Sequence, residues 1–255
     1  MLQRTPAIEC ENVRKVFGGV VVLNRVSIAL RGPGVAAIVG ANGAGKTTLL
    51  NVLTGFLPAD NGEWHINDVS AEQLSPSAIA RLGVARTFQR TRTFRSMTAL
   101  ENVRLFARER DATGLWSALI GAWRRGERAA TDRAVAALAY VGVEHVAERR
   151  VVNLSYGEQK LVALACCVAA APRTWVLDEP VSGLSLQARA RVLEVLRDVG
   201  RNGALVLLIE HDLGAVTSVA DEVLLMARGE ITMRGSTASV LNSQALFDLY
   251  VGRDS

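Results

Sequence analysis

The chain has 255 residues, of which 49% are hydrophobic, 21% charged and 5% aromatic. That is enough apolar material for one large domain or two small ones, and it excludes a disordered, collagen-like or repeat protein. The net charge of +4 is mild and the arginines are scattered, so charge alone selects neither nucleic acid nor a membrane surface as a partner.

Neither a signal peptide nor a membrane span is predicted. The N-terminus lacks an apolar core and a cleavage site, and the apolar runs are too short or too interrupted to cross a bilayer. We therefore expect a cytosolic chain. Its three cysteines, Cys10, Cys166 and Cys167, form no CxxC pair, which favours reduced thiols in the core over disulfides or a zinc site.

The first part of the chain predicts strands and then a helix. Three segments, AIECENVRKVF, VVVLNRVSIAL and GVAAIVG, are separated by turns at Gly18-Gly19 and RGPG. A helix is predicted to begin at Lys46, with an apolar side that includes Leu49 and Leu50, and to stop at Gly55.

The middle of the chain predicts helices, and the last third returns to alternation. Helical patterns extend from about residue 98 to 146. After Ser155, TWVLDE and ALVLLIE are continuous apolar runs, which are typical of strands buried on both faces of a parallel sheet. A strand pair turning at Arg228-Gly229 and an amphipathic tail follow. The whole indicates an α/β protein with a helical insertion.

A glycine-rich loop between a predicted strand and a predicted helix is the most specific motif. Residues 40–47, GANGAGKT, match G-x-x-x-x-G-K-[ST]. Glycines let backbone N–H groups wrap a phosphate closely, and the helix start adds partial positive charge. Lys46 would reach the β- and γ-phosphates, and the Thr47 hydroxyl would bind Mg²⁺. The predicted binding residues are Gly40, Ala41, Asn42, Gly43, Ala44, Gly45, Lys46, Thr47 and Thr48. The alternative is a chance glycine-rich turn.

Two adjacent acids end the strand TWVLDE. Neighbouring side chains in an extended chain point opposite ways, so the two acids can take different tasks. Asp178 is placed to hold the magnesium shell, and Glu179 to orient or deprotonate the attacking water. An ordinary solvated strand end is the alternative, which the phosphate loop disfavours.

His211 ends the next apolar strand, LVLLIEHD, whereas His65 and His145 are interpreted as structural. Active groups of open α/β sheets collect at the carboxyl ends of the strands. His211 is therefore predicted to hydrogen-bond the γ-phosphate or the water.

Taken in order, these motifs resemble those of ATP-binding cassette ATPases over nearly the whole chain. The motifs are GANGAGKTT, Gln89 in ARTFQ, LSYGEQ, TWVLDEP, SGLS and His211. The resemblance implies a P-loop NTPase fold of the α/β class. It places a RecA-like core with an antiparallel β subdomain at about 1–90 and 155–240, a helical subdomain at about 91–154 and a C-terminal tail at 241–255.

The resemblance also implies site roles and cofactors. Phe17 stands where an aromatic residue stacks on adenine, and Gln89 where a glutamine contacts Mg²⁺ and links the site to a membrane partner. The cofactors implied are ATP and Mg²⁺. The catalytic residues implied are Lys46, Glu179 and His211; the metal ligands are Thr47, Gln89 and Asp178; the nucleotide contacts of the signature segment, residues 154–159 (LSYGEQ), are Ser155, Gly157 and Gln159.

The signature segment also predicts a helix start of its own. Ser155 and Gly157 precede it, so the helix presents N–H groups and a hydroxyl to an anion. Within one subunit, two such starts would imply two phosphates bound far apart. In cassette ATPases, ATP lies between the phosphate loop of one subunit and the signature helix of the other, so both starts grip one γ-phosphate and hydrolysis releases the dimer.

Four residues depart from the family pattern. In LSYGEQ, Tyr156 replaces a glycine and Glu158 adds a charge, and similar variants resemble the ATPases of branched-chain amino acid importers. Ser185 stands where Asp or Asn is usual, which bears on communication across the dimer. Cys166 stands where many relatives have arginine.

The segments GVARTFQRTRTFRSMTALENV and VLNSQALFDLYVG resemble most the ATPase subunits of branched-chain amino acid importers, with urea importers second. This implies ATP hydrolysis coupled to transport by a peripheral subunit on the cytoplasmic face of the inner membrane. The implied partners are a second cassette, identical or not, transmembrane permeases and, indirectly, a periplasmic solute-binding protein. The docking surface is expected near Gln89 and within about 95–130.

Two other classes are kept as alternatives. A soluble cassette ATPase acting on nucleic acid or ribosomes usually carries two cassettes or a long coiled coil, neither of which is seen, so no nucleic-acid partner is expected. A nucleotide-binding regulator without turnover is disfavoured by Glu179 and His211.

Overall fold

The computed structural model describes residues 5, 7–87, 93–107 and 122–251, with backbone alone for 122–126 and 249–251. The chain forms two compact units. The first unit comprises Met1–Arg86, Arg173–Pro180 and Leu196–Ser255, and the second comprises Thr87–Pro172 and Val181–Val195. The second unit is larger than the helical subdomain expected at about 91–154, because it also contains the helix that follows Ser155.

The described strands and helices are as follows. The strands are β1 (Ala7–Phe17), β2 (Val20–Arg31), β3 (Gly34–Val39), β4 (Asn61–Ile66), β5 (Val69–Ser70), β6 (Val84–Arg86), β7 (Thr174–Asp178), β8 (Leu205–Ile209), β9 (Glu222–Ala227) and β10 (Glu230–Ser236). The helices are α1 (Lys46–Leu53), α2 (Pro76–Arg81), α3 (Ala99–Ala107), α4 (Ala122–Val141), α5 (Tyr156–Ala170), α6 (Leu186–Arg201), α7 (Leu213–Val219), α8 (Thr237–Leu241) and α9 (Gln244–Val251).

The first unit contains an antiparallel sheet with the strand order β2-β1-β4-β5. The hairpin between β1 and β2 turns at Gly18 and Gly19, whose φ angles of 52° and 85° suit glycine because it has no Cβ. Residues of β1 alternate between the two faces, and Ile8, Cys10 and Val13 are buried.

The same unit contains a mainly parallel sheet with the order β10-β9-β3-β8-β7-β6. All five residues of β7 and of β8 are buried, as the continuous apolar runs predict. Pairing sets Ile209 level with both Ile38 and Asp178. The residues that follow β3, β7 and β8 therefore emerge at one edge of the sheet.

Helix α1 follows the glycine-rich loop and is held by its apolar side. Leu49, Leu50, Val52 and Leu53 are buried in the core of the first unit. The predicted start at Lys46 is confirmed. The helix stops where predicted, at Thr54-Gly55, and Gly55 has a φ of 73°.

The second unit is helical in its described part, apart from one bridge between Thr98 and Arg150. Helices α3, α4 and α5 pack against one another. The cysteines Cys166 and Cys167 are buried in α5, and Cys10 is buried in β1; all three are free. Burial raises the pKa of the Cys10 thiol to about 12, so the thiol stays protonated.

Across the described ranges, no helix combines the length and the apolar composition that a membrane crossing requires. Within the same ranges, no three His, Cys, Asp or Glu side chains converge on a point that could hold a metal ion.

Candidate nucleotide-binding site

The phosphate loop, residues 40–47, is shaped by backbone that only glycine accommodates. Gly43 and Gly45 have φ angles of 80° and 101°. A Cβ on Gly45 would lie 2.7 Å from the carbonyl oxygen of Val22, and one on Gly40 would lie 2.1 Å from that of Met226. The glycines are therefore required by close backbone packing as well as by the turn.

The loop leaves the start of α1 open to an anion. Its N-cap is Gly45, which has no side-chain oxygen to accept from the first N–H groups of the helix. Lys46 is 8% exposed, and its Nζ donates to the carbonyl oxygens of Gly40 at 2.7 Å and Ala41 at 2.9 Å. The ammonium thus lies inside the loop, where a phosphate would compete for it.

Thr47 and Asp178 meet across the sheet edge. The Thr47 Oγ1 lies 3.4 Å from Asp178 Oδ1. Asp178 is almost fully buried, and this burial raises its pKa, while the Arg86 guanidinium acts in the opposite direction. A hydroxyl beside a carboxylate is an oxygen donor set that fits Mg²⁺.

Glu179 and His211 also come together, from the ends of adjacent strands. Glu179 Oε1 lies 3.8 Å from His211 Nδ1, and the two side chains are 21% and 53% exposed. Glu179 has a φ of 48°, a costly backbone for a non-glycine residue, and its N–H donates to Ile209 O at 3.0 Å. Strand pairing therefore holds Glu179 at a fixed place beside His211.

Two further residues are assigned by family resemblance alone, Phe17 to the adenine and Gln89 to Mg²⁺. Phe17 ends β1 and is 45% exposed. Gln89 lies outside the described residues.

Arg86 is a site residue that the sequence analysis missed. It is the last residue of β6, and its guanidinium donates to Leu50 O at 3.1 Å and Asn51 Oδ1 at 2.7 Å, with a further bond to Thr54. A cation there stabilises the C-terminal end of α1. The sequence signal was an arginine directly after Val84 and Ala85, where a half-buried guanidinium requires hydrogen-bond partners.

The signature segment, in the second unit, is a helix start of the opposite kind. Ser155 caps α5: its Oγ accepts from the Glu158 N–H at 3.3 Å, and the Glu158 carboxylate accepts from the Ser155 N–H at 2.7 Å. Hydrogen bonding to the Ser155 backbone lowers the pKa of Glu158, and Arg149 acts in the same direction. Gln159 is tied back to Leu154 O at 2.9 Å.

Tyr156, which departs from the family pattern, packs against Gly183 within the second unit. Tyr156 covers Gly183, where an added Cβ would lie 3.0 Å from the ring. Lys160 Nζ donates to Ser182 O at 2.7 Å and lies 5.3 Å from the Tyr156 ring centroid. Tyr156 thus packs on the Ser182-Gly183 segment that leads to Ser185.

Ser185 accepts from the Ala188 N–H at 3.3 Å, so it caps α6 with the chemistry that an Asp or Asn would offer. Cys166 is buried in α5, and nothing in the structure explains a cysteine there.

Comparison with known proteins agrees with this geometry. Residues 23–182 match the ABC transporter family. The chain is 34% identical over 250 residues to the high-affinity branched-chain amino acid transport ATP-binding protein LivG of Salmonella typhimurium, covering 97% of this chain and 98% of that protein. It is 32% identical over 250 residues to the corresponding protein BraF of Pseudomonas aeruginosa, with the same coverage.

Solved structures of ABC transporter cassettes are also similar. A nucleotide-free cassette superimposes with a TM-score of 0.82 at 29% identity, covering 97% of this chain and 100% of that chain. The ADP conformation of a cassette gives a TM-score of 0.81 at 29% identity, covering 97% and 99%. The predicted fold class is confirmed. The chain belongs to the ABC transporter family, as one of its ATP-binding cassettes.

Proposed function

We propose that this chain is the ATP-hydrolysing subunit of an importer of branched-chain amino acids. The observation that supports ATP hydrolysis is the sheet edge of the first unit, where the phosphate loop, the Thr47–Asp178 pair and the Glu179–His211 pair converge. Support for the solute comes from the relatives, which match this chain along almost its entire length.

ATP binding is assigned to the phosphate loop and its surroundings. The open start of α1 receives the phosphate oxygens, and the Lys46 ammonium exchanges its two loop carbonyls for the β- and γ-phosphates. Phe17 stacks on the adenine. Binding thus uses groups that the fold has already oriented.

Mg²⁺ bound with ATP would neutralise charge on the β- and γ-phosphates. The Thr47 hydroxyl and the Asp178 carboxylate are the described groups that would hold it. Gln89, outside the described residues, is assigned to it by the family resemblance alone.

Hydrolysis is assigned to Glu179 and His211. The Glu179 carboxylate accepts a proton from the attacking water, and its backbone hydrogen bond to Ile209 keeps it at the sheet edge. His211, 3.8 Å away, fixes the orientation of that carboxylate and senses the γ-phosphate.

The working form is a head-to-tail dimer of cassettes. ATP on one subunit is completed by Ser155, Gly157 and Gln159 of the second cassette, and it closes the dimer that hydrolysis reopens. Permeases supply the membrane path, a periplasmic protein delivers the solute, and the cassettes dock on the cytoplasmic face of the inner membrane.

The ATPase assignment is tested with the purified chain and its Glu179→Gln variant. The variant keeps the shape of the side chain and removes the base, so we expect ATP binding to be retained and turnover to fall by about 10²-fold or more. Gel filtration with ATP should show a stable dimer for the variant. Equal hydrolysis rates for the two proteins would refute the role of Glu179.

The solute is tested by uptake in a strain that lacks this gene. Restoring the wild-type gene should restore uptake of labelled leucine, isoleucine and valine, whereas the Glu179→Gln gene should not. Rescue of urea uptake without leucine uptake would instead place the chain with the urea importers.

A further inference from the structure

Lys15 is a charged residue on the buried face of an otherwise apolar stripe. Strand β1 turns Ile8, Cys10 and Val13 inward, and the next inward residue, Lys15, is 8% exposed. A buried ammonium requires a close partner. Asp60 provides it, since its Oδ1 accepts from Lys15 Nζ at 2.8 Å.

Asp60 also fixes the backbone on both sides of Lys15. Its Oδ2 accepts from the Val16 N–H at 2.6 Å, and its own N–H donates to Arg14 O at 2.9 Å. The pairing of β1 with β2 shifts register on both sides of Lys15, so the strand ladder alone does not set the local geometry. The hydrogen bond from Lys15 is the main cause of the lowered pKa of Asp60, followed by the Val16 N–H. Asp60 thus stays ionised.

The ammonium that Asp60 holds lies against Phe17. Lys15 Nζ lies 5.5 Å from the centroid of the Phe17 ring, within the range of a cation–π contact. Phe17 as a whole residue nevertheless stays 45% exposed. The cation therefore does not cover the residue, and the remaining surface is open to a ligand.

We propose that Lys15, held by Asp60, is a positioning residue for the nucleobase: it orients and polarises the Phe17 ring, which then stacks on the base. This deepens the proposed function and rests on it. A ring restrained before binding loses less side-chain entropy when the base arrives. A cation on one face also draws electron density from the ring, which favours stacking of an electron-rich purine on the other.

The test separates the base from the phosphates. Calorimetry on the purified full chain measures the Kd of Mg-ATP and of Mg-tripolyphosphate, which has no base. Lys15→Met keeps the length of the side chain and removes the charge. We expect it to weaken ATP binding about threefold to tenfold and to leave tripolyphosphate binding within about twofold. KM for ATP should rise while kcat stays within about twofold.

Two variants act as matched controls. Lys15→Arg keeps a cation over the ring and should restore ATP affinity to within about twofold of the wild type. Arg14→Met removes the neighbouring, exposed cation and should change neither Kd. In a Phe17→Leu background, Lys15→Met should add no further loss, because the two residues act through one contact.

Different results would contradict the role of Lys15 and the proposed function. An equal loss of both ligands, or no loss of either, would overturn the positioning role of Lys15. If Lys15→Met does not fold, Asp60→Asn, which keeps an acceptor for Val16, gives the same test: a loss restricted to ATP supports the role and an equal loss overturns it. A wild-type chain that binds tripolyphosphate and ATP equally would also overturn it. A wild-type chain that binds neither contradicts the proposed function itself.

Discussion

The two helix starts that the sequence singles out, at Lys46 and at Tyr156, differ in whether a side chain accepts hydrogen bonds from the first N–H groups of the helix. Helix α1 has glycine at its N-cap and no side chain to receive its first N–H groups. Helix α5 has a complete capping box, in which Ser155 and Glu158 exchange hydrogen bonds. The first start is built to receive an external anion, whereas the second already carries a carboxylate of its own.

The difference indicates a division of tasks. The start of α1 has no side-chain acceptor for its first N–H groups, so we expect α1 to carry the affinity for phosphate. A self-capped start is stable without ligand. We therefore expect changes at α1 to affect nucleotide binding by the single chain, and changes at α5 to affect the stability of the second unit and association of two chains.

The largest expected contrast is between two glycines, Gly45 and Gly157. Gly45→Ala forces a Cβ to within 2.7 Å of Val22 O at a φ of 101°, so it should lower the free energy of unfolding by about 3 kcal/mol and abolish ATP binding. Gly157 has ordinary space, its nearest neighbour being Leu184 at 3.7 Å. Gly157→Ala should leave the unfolding free energy unchanged or raise it by up to about 1 kcal/mol. Urea titration measures both, and equal losses would refute the contrast.

Removal of the loop ammonium should be next in size. Lys46→Ala deletes the cation that the phosphates are expected to take over, and we expect about thirtyfold weaker binding of Mg-ATP, or about 2 kcal/mol. Lys160→Ala is the matched control, because it removes a similarly buried lysine from α5. Its ATP affinity as a single chain should match the wild type in calorimetry, and a comparable loss would contradict the division of tasks.

Loss of a cap should have a smaller effect. Ser155→Ala removes the acceptor for the Glu158 N–H and should cost about 1 kcal/mol in urea titration. Ser236→Ala removes a cap of the same geometry from α8 in the first unit. Both variants should lose similar stability, but only Ser155→Ala should weaken the ATP-dependent dimer formed in a Glu179→Gln background. If both variants dimerise like their parent, Ser155 does not act across the dimer.

The smallest effect concerns pH. Glu158 has a lowered pKa in the folded chain, chiefly through its bond from the Ser155 backbone. The contribution of Glu158 to the free energy of unfolding is therefore present above the ordinary pKa of a glutamic acid. It is lost as the pH falls through the pKa of Glu158 in the folded chain. Glu158→Gln should be slightly less stable than the wild type at pH 7, and the difference should shrink as the pH falls below the ordinary pKa of a glutamic acid. If the stability difference between Glu158→Gln and the wild type grew on acidification, the pKa of Glu158 would be raised by folding rather than lowered.

Much of the site was predictable because its residues obey local rules. Gly43, Gly45 and Lys46 were predicted from a motif in which the spacing of the glycines sets the backbone shape. Asp178 and Glu179 were predicted from an apolar strand that ends in acids. Strands β4 to β6 and helix α2 were not predicted, since none has more than six residues, which is too few to show a clear apolar period. Arg86 escaped notice because its partners on α1 lie more than 30 residues away.

The sequence by itself determined the fold class, the phosphate loop, the two acids and the capping serine, since each depends on nearest neighbours and periodicity. The sequence predicted that His211 and Glu179 share a sheet edge, but only the tertiary structure set them 3.8 Å apart, put Arg86 at the C-terminal end of α1 and put Lys15 between Asp60 and Phe17. These contacts join residues brought together by strand order and register. Their energies depend on distance and burial, which no local pattern of residues contains.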